Sequence, residues 1–374
     1  MSDNKRIYDL LVKMLRFSLG IDRQKPVIFA EDRNTLLRYA RKQAIFPLIS
    51  NNFESDPKIK EQLLLHVLRF ERYESILSSV ASCFTREKIV FIPLKGSITS
   101  RYYPEPWMRT RSDIDILVQS DRLDRALELM TTQLGFEIDG RNYHDITLRH
   151  KSGLFVELHF SLFEKEEKMD NVLSTVWQHV TPKAAGSYEY VMSDTFFLFH
   201  QLTHTAYHFA NGGCGVRFIV DLWLLEHNLV IDRKELQCLC EQAGIWQFYL
   251  QLQKLLQYWF ADEKPSELLL QMETYLLDAS VFGSERNRVA AAQKRGGKFG
   301  FLISRLFWSY KDLKELYPSL DNRKILLPFY QVRRWCRLFD AKKRKQAFSQ
   351  LSMNSTMERA ESKEIQKLIS RVGL

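Results

Sequence analysis

Two stretches carry the decisive reading of this 374-residue chain: Ile92-Pro-Leu-Lys-Gly-Ser97, and Arg109-Thr-Arg-Ser-Asp-Ile-Asp-Ile-Leu-Val118. The first ends an apolar strand, Lys88 to Leu94, that breaks at Lys95-Gly96-Ser97 and enters a helix from Gly96 to Tyr103. The second contains a strand of strict alternation, Asp113 to Val118. Side chains along a strand alternate between faces, so Asp113 and Asp115 share one face while Ile114 and Ile116 share the other. Neighbouring carboxylates repel, and covering them costs desolvation. A hard cation relieves both penalties, and oxygen ligands of this kind suit Mg²⁺. Gly96 lets the backbone approach a ligand closely, and free N–H groups at a helix start favour phosphate. A carboxylate-held cation beside an N–H cradle is apparatus for a nucleoside triphosphate.

A third carboxylate should then stand on a neighbouring strand. Gly153-Leu-Phe-Val-Glu-Leu-His-Phe160 supplies it, with Glu157 and His159 on one face. The alternating runs His144 to His150 and Leu154 to Phe160, joined by Lys-Ser-Gly, read as a hairpin that brings Glu157 beside the Asp113/Asp115 strand. Each piece alone is commonplace: a turn, a solvated strand face, a surface Glu-x-His. Their order, faces and element types together are not.

At these residues the chain resembles the nucleotidyltransferase superfamily of the DNA polymerase β type. More closely, it is similar to a bacterial family of nucleotidyltransferases with the pattern Leu-Lys-Gly, Tyr-Tyr, Arg…Asp-Ile-Asp and Glu-Leu-His. By position, Gly96 and Ser97 match the superfamily's Gly-Ser, Asp113 and Asp115 its paired metal carboxylates, and Glu157 its third carboxylate. Arg109 matches an arginine that the smaller family places before the aspartates. The motifs span residues 88–163, and the interval from Ser97 to Asp113 is longer than in many superfamily members. The resemblance implies two Mg²⁺ (or Mn²⁺) ions on Asp113, Asp115 and Glu157 and a nucleoside triphosphate donor. Gly96 and Ser97 would orient its phosphates, with Lys95 or Arg109 neutralising charge. A nucleoside monophosphate would pass to a hydroxyl acceptor and pyrophosphate would leave.

The rest of the chain reads as mostly helical. An N-terminal helical region, 1–86, precedes the α/β core, 87–163; a helical substrate-side region, 164–282, and a basic helical region, 283–374, follow. The expected class is therefore α+β, a small mixed sheet with helices on one side, embedded in helical flanks. Helices are expected at Thr35 to Ile49, Pro57 to Phe84 and Phe196 to Ala210. The last carries His200, His204 and His208 on one face, because residues four apart are neighbours on a helix. Without cysteine or carboxylate at matching positions this is a poor zinc site. His204, His208, Arg217 and Asp221 are instead candidates for the cleft wall, against phosphate or acceptor; an Arg217–Asp221 pair along the helix is the plainer alternative. Gly212-Gly213-Cys-Gly215 lacks the Gly-Lys-Ser/Thr of a P-loop.

The net charge of +9 suits triphosphate, nucleic acid or an anionic surface without choosing among them. Basic residues gather at Arg286, Arg288, Lys294, Arg295 and Lys298, in a loop or broken helix, and again at Arg333, Arg334, Arg337 and 342–345, where an anionic partner is conceivable. Five cysteines without repeated spacing argue against a disulfide framework and for a reducing cytoplasm. The start does not read as a signal peptide, and no stretch is apolar enough to span a bilayer. A small-molecule or protein hydroxyl is the favoured acceptor. The rivals are a toxin-type enzyme acting on tRNA or protein, a nucleotide-binding protein without turnover, and a nucleic-acid-binding protein.

Overall fold

The computed structural model describes residues 3–293, 297–320, 323–336 and 341–374. Lys294, Arg295, Arg337 and the side chains of Lys342, Lys343 and Lys345 lie outside the described residues. The architecture is α+β. Helices α1 (Asp3–Ser18), α2 (Ala30–Lys42), α3 (Phe46–Ser50) and α4 (Pro57–Arg86) lead into a five-stranded mixed sheet. Its strands are β1 (Phe91–Pro93), β2 (Asp113–Val118), β3 (Phe136–Arg141), β4 (Asp145–His150) and β5 (Phe155–His159). The short helix α5 (Gly96–Thr99) and then α6 (Leu123–Thr132) interrupt them.

Local chemistry sets the boundaries. The single helix expected over Thr35 to Ile49 is two, because Pro47 lacks an amide hydrogen and sits in the first turn of α3. Pro47 is preceded by Ala44 at φ +55°. Asp56 caps α4 by accepting from the Lys58 N–H at 3.0 Å, with Pro57 opening the helix. The expected helix from Gly96 to Tyr103 ends at Thr99 and continues as one 3₁₀ turn, Ser100–Tyr102.

The strand order is β1-β2-β5-β4-β3. β2 runs parallel to β5, with Asp115 opposite Glu157; the other pairs are antiparallel. The hairpin sets Glu157 opposite Thr147, and the parallel β2–β5 pairing lays it beside Asp115. Ile114, Ile116, Val118, Val156 and Leu158 face α4 and α6 in one core, with Phe84 packed edge-on against Phe91. The opposite face is only partly free: Leu117, Ile92 and Leu94 join a second core. Helices thus flank both faces, not one.

That second core is built from α1–α3 together with α7 (Glu167–Leu173), α8 (Asp194–Ala210), α9 (Val216–Asn228), α10 (Arg233–Gln242), α11 (Trp246–Phe260) and α12 (Glu267–Asp278). α8 is apolar almost all round and correspondingly buried, as a central helix must be. A two-stranded hairpin, β6 (Val180–Pro182) and β7 (Tyr190–Met192), stands before α8 where helix was expected. It covers the free edge of β1, where the Phe91 N–H donates to the Tyr188 carbonyl at 3.0 Å. On either side of residues 294–296, the basic stretch after Gly283 forms α13 (Glu285–Ala292) and α14 (Gly297–Leu306). No helix among the described residues is long and apolar enough to cross a membrane.

Phe84 is fully buried at the α4–sheet contact. Phe84→Ala is expected to lower stability by about 3–5 kcal/mol, read from the urea midpoint.

Candidate active site

The period of two on β2 and the parallel β2–β5 register place Asp113, Asp115 and Glu157 together on the face turned away from α4. Asp115 is almost wholly buried and does not stand alone. The Lys95 ammonium donates to its Oδ1 at 2.8 Å, and His159 Nε2 approaches the same oxygen at 3.0 Å. Burial works against the Asp115 charge, yet Lys95 and then His159 outweigh it and hold the carboxyl well below the usual range. Burial likewise opposes the charge of Lys95, but Asp115 and Glu157 raise it above an ordinary lysine. His159 is raised too, its burial outweighed by hydrogen bonds to Asp115 and Glu157.

Asp113 has no such help. Its recorded hydrogen bond is from the Ser112 hydroxyl, at 2.9 Å, and among the described residues it has no ion-pair partner. Burial, then the charges of Asp115 and Glu157, push its carboxyl up to about 6. An acid raised in this way is a site short of positive charge.

The turn after β1 is strained, but not at its glycine. Lys95 sits at φ +41°, ψ −115°, a conformation that costs a side-chain-bearing residue on the order of 1–3 kcal/mol. The strain aims the lysine at Asp115. Gly96 has an ordinary φ and is needed for its size: a β-carbon there would collide with Arg109 Nη1. Ser97 turns away from the cleft. Its N–H donates to the Leu94 carbonyl at 3.2 Å, and its hydroxyl is buried without a hydrogen-bond partner.

Arg109 makes the strongest polar contact between the two cores. Its Nε and Nη2 donate to Asp221 Oδ1 and Oδ2 at 2.9 and 2.7 Å, a planar two-pronged pair with both side chains buried. The Tyr103 hydroxyl donates to the same carboxylate at 2.8 Å. Asp221 therefore serves a residue from the sheet side and leaves Arg217, one turn earlier on α9, without an acid. Arg217 donates to the Thr110 carbonyl at 3.0 Å and lies against the rings of Phe218 and Phe282. Its Nε is buried without a partner. Arg111, not singled out in the sequence, has the same character: it donates to Glu74 at 2.8 Å, lies over Phe70, and keeps Nε and Nη1 unpartnered. Burial, then Arg109, weighs against the charge of Arg217; burial does the same for Arg111.

These groups wall one cleft. Asp113, Asp115, Glu157, Lys95, Gly96, Arg109, Arg111, His204, His208, Arg217 and Asp221 all line it. Of the candidate site residues and α8 histidines marked in the sequence, Ser97 and His200 are not on this wall. His200 faces a second cleft, which shares Lys95, Glu157 and His204 with the first. Glu164, also missed in the sequence, lies there; its Oε1 meets His204 Nδ1 at 2.9 Å. Burial raises the Glu164 carboxyl. It lowers His200 and His208 to about 3, and His204 well below an ordinary imidazole. The described residues hold two groups of closely spaced metal donors, Asp115–Glu157–His159 and His144–Asp145–His159. Neither includes the three histidines of α8.

A sheet that carries three carboxylates toward a cleft lined with arginines belongs with phosphate chemistry. The comparison with known families is specific on this point. The model of a family described as an uncharacterised nucleotidyltransferase matches residues 30–261, well over half of the chain, and the chain belongs to that family. The general activity of the family is nucleotidyl transfer. No curated protein matches the chain.

Asp221→Ala strands Arg109 as a buried unpaired charge. It is expected to cost about 3–5 kcal/mol in urea unfolding. Gly96→Ala should reproduce part of that loss by displacing the guanidinium. The α8 histidines set a pH dependence. Folded, His200 is protonated only near pH 3; unfolded, near its ordinary 6.5. The unfolded chain binds more protons between those values, so stability falls as pH drops below 6.5. Each such group contributes up to about 1.4 kcal/mol per pH unit. His200→Gln should flatten the fall in urea midpoint between pH 7 and pH 5 by about 1–2 kcal/mol.

Proposed function

We propose that the chain transfers a nucleoside monophosphate from a nucleoside triphosphate to the hydroxyl of a small molecule or protein, with release of pyrophosphate. The observation that carries this reading is a charge mismatch within one cleft. Among the described residues Asp113 is a half-buried acid with no ion-pair partner, and Arg217 is a buried guanidinium with no ion-pair partner. The first asks for a metal ion and the second for phosphate.

The donor set fits a hard divalent cation. Asp113, Asp115 and Glu157 offer carboxylate oxygens on one face, and the recorded side-chain hydrogen bonds of Asp115 fall on Oδ1. These three residues would hold Mg²⁺, or Mn²⁺, in one or two positions. When bound, the metal neutralises phosphate charge and lowers the pKa of an acceptor hydroxyl. Arg217 and Arg111 line the same cleft and supply positive charge toward phosphate oxygens. Arg109, with Nε and Nη2 engaged by Asp221, acts by holding the wall in place. Gly96 leaves room for Arg109, so its part in phosphate binding is indirect, and Ser97 supports the turn from behind.

One observation favours a second reading, a nucleotide-binding protein without turnover. Lys95 is a built-in counter-ion at Asp115. A fixed ammonium there competes with a metal for the same carboxylate.

The test is a thermal-shift panel of ATP, GTP, CTP and UTP, each with and without Mg²⁺. Ligand at a hundred times its dissociation constant adds about 2.7 kcal/mol. A Mg²⁺-dependent shift with at least one nucleotide is expected, abolished in Asp113→Ala/Asp115→Ala. Arg217→Met should weaken that nucleotide by about 10- to 100-fold, as the loss of a charge-assisted contact does. No shift with any nucleotide would sink the reading. A shift without pyrophosphate release from any acceptor would support the second one.

A further inference from the structure

The two clefts meet at Lys95, Glu157 and His204, but their chemistry differs. Three arginines, 109, 111 and 217, line the first and none lines the second. The second carries two buried carboxylates, Asp145 and Glu164, set among imidazoles and the rings of Tyr143, Phe163 and Tyr207. Carboxylates repel polyphosphate and accept from hydroxyls; ring faces pack against the carbon side of a small cyclic or chain polyol. At about 350 Å³ the cavity is at the small end of ligand sites and suits a molecule of monosaccharide size rather than a macromolecular segment.

His204 stands on the shared wall. With Glu164 as the carboxylate partner of Nδ1 at 2.9 Å, the ring nitrogen left for the clefts is Nε2. With the Glu164 carboxylate accepting from Nδ1–H, Nε2 of the neutral imidazole carries the lone pair. Glu164, itself buried, fixes the tautomer and orientation of the ring, as a carboxylate behind a basic histidine does in other proton-transfer sites.

We propose that the second cleft binds the acceptor, a small uncharged or cationic polyhydroxylated molecule, and that His204, positioned by Glu164, takes the proton from the hydroxyl that attacks. This rests on the nucleotidyl-transfer reading. The acceptor O–H proton passes to Nε2 of His204, and the oxygen forms a bond to the α-phosphorus. The bond from that phosphorus to the bridging oxygen of the β-phosphate breaks, and its electron pair leaves with pyrophosphate. His204 is the catalytic base in this scheme; Glu164 is a positioning residue.

The experiment uses the full chain with α-³²P-labelled nucleoside triphosphates and Mg²⁺, with water alone or glycerol at molar concentration as the acceptor probe. Released nucleoside monophosphate, its glycerol ester and pyrophosphate are quantified, and the Mg²⁺–nucleotide thermal shift is recorded for every variant. Turnover to both acceptors is expected in the wild type. His204→Gln should lower kcat at least 100-fold, the usual worth of a general base, and Glu164→Gln at least 10-fold, both with the nucleotide shift retained. Asn142→Trp, at the exposed rim of the second cleft, should abolish the glycerol ester while leaving the nucleotide shift intact. Turnover unchanged in His204→Gln, or glycerol ester unchanged in Asn142→Trp, would overturn the assignment while the transfer reading stands. Nucleotide binding without pyrophosphate release from either probe would overturn it in favour of binding without turnover. Failure of the wild type to bind any nucleotide would remove the transfer reading itself.

Discussion

Everything in the cleft depends on one buried pair, Arg109 with Asp221. The sheet and its helices α4 and α6 form one apolar core; the N-terminal helices and α7–α12 form another. The carboxylates belong to the first and the histidines and Arg217 to the second. A cleft made of both is only as well defined as the joint between them. Apolar contact alone holds two bodies together without fixing their rotation. A two-pronged guanidinium–carboxylate pair, with Tyr103 on the same carboxylate, has direction as well as strength. Its cost in desolvation is accepted at the place where geometry matters most.

The cleft is also balanced in a particular way. Four carboxylates (Asp113, Asp115, Glu157, Asp221) and four cations (Lys95, Arg109, Arg111, Arg217) line it, so its formal charge is near zero. They are not paired one to one. Asp221 and Arg109 satisfy each other, Asp115 takes Lys95, and Arg111 turns to Glu74 outside the cleft wall. Glu157 has only His159 Nε2 at 3.6 Å, and Asp113 and Arg217 are left without an ion-pair partner among the described residues. In the proposed reading, a metal-bound triphosphate offers a cation to Asp113 and anionic oxygens to Arg217, completing such a wall at both ends. A free triphosphate or a free metal completes only half of it.

How much of this was legible from the residues alone varies with how local the cause is. β2 could be read because alternation of Asp113, Ile114, Asp115 and Ile116 specifies both faces with no tertiary information. The hairpin signal at Lys151-Ser-Gly153 gives the β4–β5 register, Thr147 opposite Glu157, while the parallel pairing of β5 with β2 is a non-local contact that the hairpin does not determine. What could not be read was made by distant contacts. Glu164 gains its meaning from His204, 40 residues on. Arg111 sits in the quoted stretch, yet only the packing of Phe70 and Glu74 on α4 leaves its nitrogens over. The β6–β7 hairpin has strands of three residues, one ending in Pro182, too short for periodicity to show. Gly96 reads as room for a ligand to approach the backbone; its closeness to Arg109 Nη1 is a tertiary contact that no local pattern shows.

That last feature has a bearing on how such a sequence can drift. Position 96 and position 109 occupy one volume. A side chain at 96 must push the guanidinium at 109 aside, and a shorter residue at 109 would leave Asp221 and Tyr103 facing a void. Three sites far apart in the chain are thereby locked into a joint choice. Change among relatives of this chain should come as a block, with a larger residue at 96 accompanied by loss of the arginine and of its acid on α9. A cleft that has kept the glycine has kept its hinge pin.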